Sequence, residues 1–258
     1  MDRFASVIEQ TRPRDRPASV RFDLRATPSK GYGFYALHAI ERGTLIIDES
    51  PLVAVPPGIN DASYLLGALK KLTQEQLTTF HNLHFDDNEA SAGEDDKAIS
   101  IFALNNVEMG SEQTHGRAVF AKYSRLNHSC LPNIDNSYSA STGKLTAHAI
   151  RHIESGEELT TSYINLVQPA EQRALELRQW GFECSCSVCG SRDVAASNKR
   201  RQRMCSIREA FDIMVDHDDE TVDPDAVPIT PSERSTWAAE LAKLCKEEGL
   251  VGRDLEHA

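Results

Sequence analysis

The amino-acid sequence predicts an α+β fold, mostly β in character, made of short sheets with a helical insert, a metal-binding cysteine loop and C-terminal helices. Three observations lead there. Between Ser19 and Val55, short apolar runs are broken by closely spaced glycines, the pattern of hairpins and bulges. From Asp61 to Ala121, and again after Gly190, apolar residues recur at helical spacing. Three of the six cysteines, Cys184, Cys186 and Cys189, crowd into one loop. At 258 residues, the chain can bury one sizeable core or divide into a main domain and a satellite.

Residues 1–18 carry Pro13 and Pro17 among charges and read as a disordered arm. Strands are expected in "SVRFDLRAT", "KGYGFYALHAI" and "GTLIIDESPLVAV", with Gly31, Gly33 and Gly43 as punctuation. "ASYLLGALKKLTQEQLTTFHNL" reads as one helical stretch, and "NEASAGEDDK" as a solvated acidic loop. Strands return with "KLTAHAIRHI" and "EELTTSYINL" around the turn "ESGE". "QPAEQRALELRQWGF" is helical, with Pro169 at its start and Gly181 at its end. Two amphipathic helices follow, "NKRRQRMCSIREAFDIMVDH" and "SERSTWAAELAKLCKEEGL", joined by the acidic "DDETVDPDAVP". "KRRQR" reads as a basic helix start or a nuclear signal.

The formal net charge of -11 argues against a protein that coats nucleic acid, which needs basic surface to neutralise phosphates. It suits a basic partner, whose encounter complementary charge speeds, and it equally serves solubility. No run of about 18 apolar residues is present, so no membrane span is expected. The N-terminus lacks the apolar stretch of a secretory signal. A reducing compartment is the resulting expectation, and there clustered thiols favour metal over disulfides. Nucleus and cytoplasm both remain open.

Cys184, Cys186 and Cys189 form C-x-C-x-x-C. Neighbours so close do not readily pair as disulfides, yet three thiolates can point at one ion. Structural zinc is tetrahedral and takes four N or S ligands, so one must come from elsewhere: Cys130, Cys205, Cys245 or a histidine. Cys205 and Cys245 occupy apolar helix positions, where cysteine is usually a small core residue. Cys130, in the loop before Pro132, is the better candidate, and choosing it joins "YSRLNHSCLPN" to the cysteine loop. It also weakens a Cys/His hydrolase built on His128 and Cys130, because a metal-bound thiolate is no free nucleophile.

"KGYGFYA", "RLNHSCLPN", "GEELTTSY" and "GFECSCSVC" resemble, in order and character, the SET domain of protein lysine methyltransferases. The closing stretch is most similar to the SMYD branch and its fungal SET relatives. No cysteine precedes Cys130, so the MYND zinc finger of that branch is not expected. The resemblance implies a SET domain over 19–165 with a pseudoknot and a helical insert at about 57–118. A post-SET zinc region would follow at 166–190, and a C-terminal helical extension at 191–258.

What the resemblance implies about chemistry is methylation of a protein lysine, with S-adenosyl-L-methionine bound on one face and lysine entering from the other. Lys30, Gly31 and Tyr32 would lie along the methyl donor. The Asn127 amide would accept from its ammonium, and the backbone beside His128 would bond the adenine edge. Phe182 would cover the adenine face, and Asn105 of the insert would also touch the donor. Tyr163 matches the transfer-site tyrosine, catalytic and next to the donor. Such a residue aligns the lysine amine and holds the methyl by weak C–H···O contacts, while a dry site beside a cation keeps the amine neutral. Cys130, Cys184, Cys186 and Cys189 would hold one structural Zn2+. Thr161, where many SET enzymes place an aromatic, leaves the number of methyls open. Phe120 reads equally as channel lining or core. The partner would be a lysine-containing, basic protein, with no direct nucleic-acid or membrane binding and a monomeric enzyme. A zinc-stapled SET module that binds protein or chromatin without catalysis is the alternative.

Overall fold

The computed structural model describes residues 21–27, 30–86, 93–110, 115–215 and 230–251. The expected arm at 1–18 and the acidic link at 218–228 lie outside them. Among the described residues, four small sheets carry the β part. Strands β1 (Phe22–Ala26) and β2 (Tyr32–Ala36) form an antiparallel hairpin. Strand β3 (Leu45–Glu49) pairs with β9 (Lys144–Ala149), which pairs in turn with β8 (Ile134–Ser139). Strand β4 (Val53–Val55) pairs with β6 (Arg117–Val119), flanked by β5 (Asn106–Glu108). The last pair, β7 (Asn127–His128) and β10 (Thr160–Thr161), is parallel and only two residues long. In β9, alternation turns Leu145, Ala147 and Ala149 inward, as a strand with one covered face requires.

These sheets enclose the main core, with Phe34, Ile40, Ile47, Phe120, Leu126 and Ile153 at its centre. Phe120 is fully buried there, so core packing accounts for it. The helical stretch after Asp61 is not continuous. It splits into α1 (Ala62–Leu69) and α2 (Gln74–His81), because Thr73 caps the second helix in a reciprocal box with Gln76. Helix α3 (Glu94–Asn105) takes the end of the expected acidic loop into its first turn, where Glu94, Asp95 and Asp96 favour the positive end of the helix dipole. These helices bury a second core around Phe80, Leu69 and Ile101. The segment read as helical up to Ala121 also contains β5 and β6. They are too short to show a period, and pairing with β4 specifies them.

Helix α4 (Ala170–Leu177) starts behind Pro169 and runs into a 3-10 turn over Arg178–Trp180. Helices α5 (Val194–Val215) and α6 (Pro231–Glu247) form the C-terminal pair. Their core joins Met204, Ile207, Leu241 and Cys245 to Leu166, Val167 and Cys130. Arg201 lies fully buried within it, paired with Glu248 at 2.8 Å and donating to the carbonyls of Leu166 and Cys130. The two C-terminal helices are thus fastened to the loop that carries Cys130. Among the described residues no helix is long and apolar enough to cross a membrane.

Candidate active site

The short parallel pair β7–β10 positions the site. Its strands are held by the Asn133 side chain, which accepts from the Thr160 N–H at 2.8 Å and donates to the Glu158 carbonyl at 2.8 Å. Two cavities adjoin the pair. One, of about 410 Å³, is lined by Lys30, Ser129, Glu158, Thr160 and Cys186. The other, of about 810 Å³, is lined by Asn105, Tyr123, Leu126, Thr161, Tyr163 and Trp180. Strand β10 therefore contributes Thr160 to one cavity and Thr161 to the other, as successive residues of a strand face opposite ways.

Asn127 donates from Nδ2 to Glu158 Oε1 at 2.7 Å and to the Tyr32 carbonyl at 3.3 Å. Both partners are acceptors, so the amide nitrogen is fixed toward them and its oxygen turns the other way. Gly33 makes the approach feasible: a Cβ there would sit 2.5 Å from Asn127 Nδ2 and 2.7 Å from Glu158 Oε1. Lys30 reaches across to donate from Nζ to the His128 carbonyl at 3.0 Å. Gly31 adopts a φ of 69° and opens onto free space. The fully buried His128 ring accepts the Tyr163 N–H at Nδ1, 3.1 Å away. Burial holds the ring neutral, its pKa lowered to about 3.

Tyr163 donates from its hydroxyl to the Leu126 carbonyl at 2.6 Å, and burial pushes its phenol far above the usual value. It stays a neutral phenol at every physiological pH. Its ring lies 5.1 Å from Trp180 and 5.5 Å from His128, and Phe182 lies 6.2 Å from His128. Thr161 shares a 2.7 Å hydrogen bond with the Tyr123 hydroxyl. The structure thus brings Lys30, Tyr32, Asn127, His128, Tyr163 and Phe182 together around one strand. Asn105 reaches only the larger cavity, and its amide nitrogen donates inward to the carbonyls of His84 and Ile101, both at 2.7 Å.

Among the described residues, Cys130, Cys184, Cys186 and Cys189 form a group whose sulfurs all lie within 4.8 Å of one another. A tetrahedral zinc with Zn–S bonds of about 2.3 Å sets sulfurs roughly 3.8 Å apart. Cys130 Sγ is 3.6 Å from Cys189 and 3.9 Å from Cys184, so the donor set fits such an ion. Cys205 instead donates to the Val167 carbonyl, and Cys245 is core. His128 Nε2 lies 3.4 Å from Cys130 Sγ, the geometry a Cys/His nucleophile would need. Yet Cys130 is fully buried, and its sulfur is one of the four that fit a single ion. A nucleophile must be accessible and free of a metal.

Three participants escaped sequence reasoning. Trp180 donates from Nε1 to the Leu104 carbonyl at 2.9 Å, closing the insert over Tyr163. Glu158 orients Asn127. Arg173, buried, donates to the Gln168 carbonyl at 2.5 Å and approaches Cys189 Sγ at 3.9 Å, a cation beside clustered thiols. Only the acid run of "GEEL" and the aromatic before Gly181 hinted at the first two, because their partners are distant in sequence.

The sequence matches the family described as SET domain over residues 31–164. It is 34% identical over 163 residues to histone-lysine N-methyltransferase set5 of Schizosaccharomyces pombe, covering 63% of this chain and 48% of that protein. To human N-lysine methyltransferase SMYD2 it is 32% identical over 130 residues, 48% of this chain and 29% of that protein. To mouse histone-lysine N-methyltransferase SMYD3 it is 30% identical over 202 residues, 74% and 44%. The chain spans less than half the length of each of these curated relatives. The matched segment runs from Gly31 to Ile164, through the second strand of the hairpin, the Asn127–His128 strand and Tyr163, and the chain belongs to the SET-domain family.

Proposed function

We propose that the chain is a protein-lysine N-methyltransferase that uses S-adenosyl-L-methionine and carries one structural zinc. The observation that carries this reading is the pair of cavities adjoining β7–β10, with the Tyr163 hydroxyl held against the Leu126 carbonyl on one of them. A donor and an acceptor that meet through a strand pair can be bound from opposite sides and still align for in-line displacement. When bound, S-adenosylmethionine supplies an electrophilic methyl on a sulfonium. The residues that would hold it are Lys30, which lines the smaller cavity, and Gly31, Tyr32, Asn127, His128 and Phe182, which cluster around strand β7 outside the lining of both cavities. Asn127, with its nitrogen fixed by Glu158, presents its oxygen to an ammonium.

Tyr163, neutral and fixed at hydroxyl and backbone, orients the attacking lysine nitrogen and helps exclude water, with Trp180 packed on its ring. Cys130, Cys184, Cys186 and Cys189 would hold zinc, tying the Phe182 loop to the Asn127–His128 strand. The substrate would be a basic, lysine-bearing protein surface drawn to a chain of net charge -11, and the enzyme would act as a monomer. The test is transfer of labelled methyl to proteins of a cell extract by wild type and Tyr163→Phe, with calorimetry of donor binding. Wild type should label and bind; Tyr163→Phe should bind alike but label at most about a tenth as fast, the loss of one hydrogen bond near 1.4 kcal/mol. Binding without labelling by wild type would favour a non-catalytic module.

A further inference from the structure

The proposed function uses the backbone beside His128 and gives its imidazole no task, although that ring is fully buried at the centre of the site. Its Nδ1 accepts the Tyr163 N–H at 3.1 Å. A backbone N–H can only donate, so Nδ1 carries no proton, and because an imidazole keeps one ring N–H that proton sits on Nε2. That Nε2 faces Cys130 Sγ at 3.4 Å, within reach of an N–H···S hydrogen bond. We infer that His128 is a positioning residue: its imidazole joins the four-cysteine site to Tyr163, donating to the Cys130 sulfur on one side and accepting the Tyr163 amide on the other.

The inference rests on the reading of the cysteines as a zinc site and of Tyr163 as the transfer residue. A metal-bound thiolate is a better acceptor than a thiol, so Cys130 drawn to an ion steadies the Nε2–H. Hydrogen bonds to metal ligands of this kind orient them and tune their affinity. The steadied ring then fixes the Tyr163 backbone, whose other end is held by its hydroxyl on the Leu126 carbonyl. Tyr163 is therefore clamped at Leu126 and at His128, the residues on either side of Asn127. Arg173 approaches the same cluster at Cys189, but it reaches back to the Gln168 carbonyl instead. It is the natural control, able to influence the thiolates without gripping Tyr163.

The test uses the zinc-loaded full chain. With 15N-labelled histidine, two-bond nitrogen–proton correlation should show His128 with a bare Nδ1 and a protonated Nε2; the opposite tautomer overturns the inference, and no variant is needed. In His128→Gln and His128→Phe, zinc release to a chelator and hydrogen exchange at the Tyr163 amide should each quicken by roughly tenfold or more. Arg173→Gln should quicken zinc release while leaving Tyr163 exchange as in wild type. Unchanged Tyr163 exchange in folded His128 variants, or equal loss of protection in Arg173→Gln, sinks the coupling. If wild type transfers methyl while both His128 readouts stay unchanged, the coupling alone fails. If the coupling holds in a wild type that transfers no methyl, the functional reading alone fails.

Discussion

Gly33→Ala separates a local collision from general destabilisation. A Cβ at this position would lie 2.5 Å from Asn127 Nδ2, 2.7 Å from Glu158 Oε1 and 3.3 Å from Thr27 Cγ2. Ordinary contact begins near 3.4 Å, so the first two overlaps are severe and fall on two atoms already hydrogen-bonded at 2.7 Å. Gly33 has an ordinary strand φ, and alanine there would by itself stabilise by about 0.4–1 kcal/mol through the unfolded chain. Against this stands the loss of a charge-assisted hydrogen bond, about 1.5–3 kcal/mol, toward its lower end because Glu158 is partly exposed. The net is roughly 1 kcal/mol lost, a fall in Tm of about 2–4 °C. Donor binding should suffer more. Moving Asn127 would remove its proposed contact to the ammonium, of similar strength, and S-adenosylmethionine should bind about 10-fold to 100-fold more weakly by calorimetry. Gly43→Ala is the control: its φ of 82° makes alanine strained, with no atom within 4 Å, at about 1–2 kcal/mol. It should melt as low or lower yet bind the donor as wild type does. Wild-type binding by Gly33→Ala, or equal losses in both variants, refutes the reasoning.

Other consequences can be measured separately. Metal analysis should give one zinc per chain for wild type and less than half of that for Cys130→Ser or Cys186→Ser; a metal-free wild type would end the four-thiolate reading. Trp180→Phe keeps an aromatic on Tyr163 but strands the Leu104 carbonyl, and urea unfolding should show a loss of about 0.5–1.5 kcal/mol; an unchanged midpoint would mean water replaces the indole. Burial alone would raise the Glu248 carboxyl, but hydrogen bonds from Ser197, Arg201 and Arg200 outweigh it and hold it below the usual range. Because the folded value is depressed, this stabilisation is complete above the unfolded value of about 4.3 and is lost as pH falls through the folded one. Glu248→Gln should therefore be about 3 kcal/mol less stable at pH 7, with a gap to wild type that narrows on acidification; a gap constant down to pH 3 would contradict the assignment.

Much of the site was legible because its residues sit in compact local motifs. "RLNHSC" places Asn127, His128 and Cys130 within one short strand and loop, and C-x-C-x-x-C needs only chain geometry to crowd three sulfurs. Cys130 was separable from Cys205 and Cys245 because the latter two lie on apolar helix faces, and packing there carries a readable period. The break between α1 and α2 was less visible, since Thr73 and Gln76 fit a helix interior by composition and act as a cap only through their side-chain bonds. Strands β5 and β6 had no local signature at all.

By itself, then, the sequence determined the chemistry at hand: four cysteines, an Asn–His pair, a tyrosine, and the α+β order of short strands, insert and closing helices. Tertiary structure alone decided their relations. It put the fourth sulfur 54 residues from Cys184 against it, aimed Glu158 at Asn127, swung Trp180 onto Tyr163, and turned the Asn105 amide toward backbone carbonyls. The reason is that hydrogen bonds and close contacts depend on distance in space, and a two-residue parallel pair such as β7–β10 joins segments that no periodicity along the chain connects.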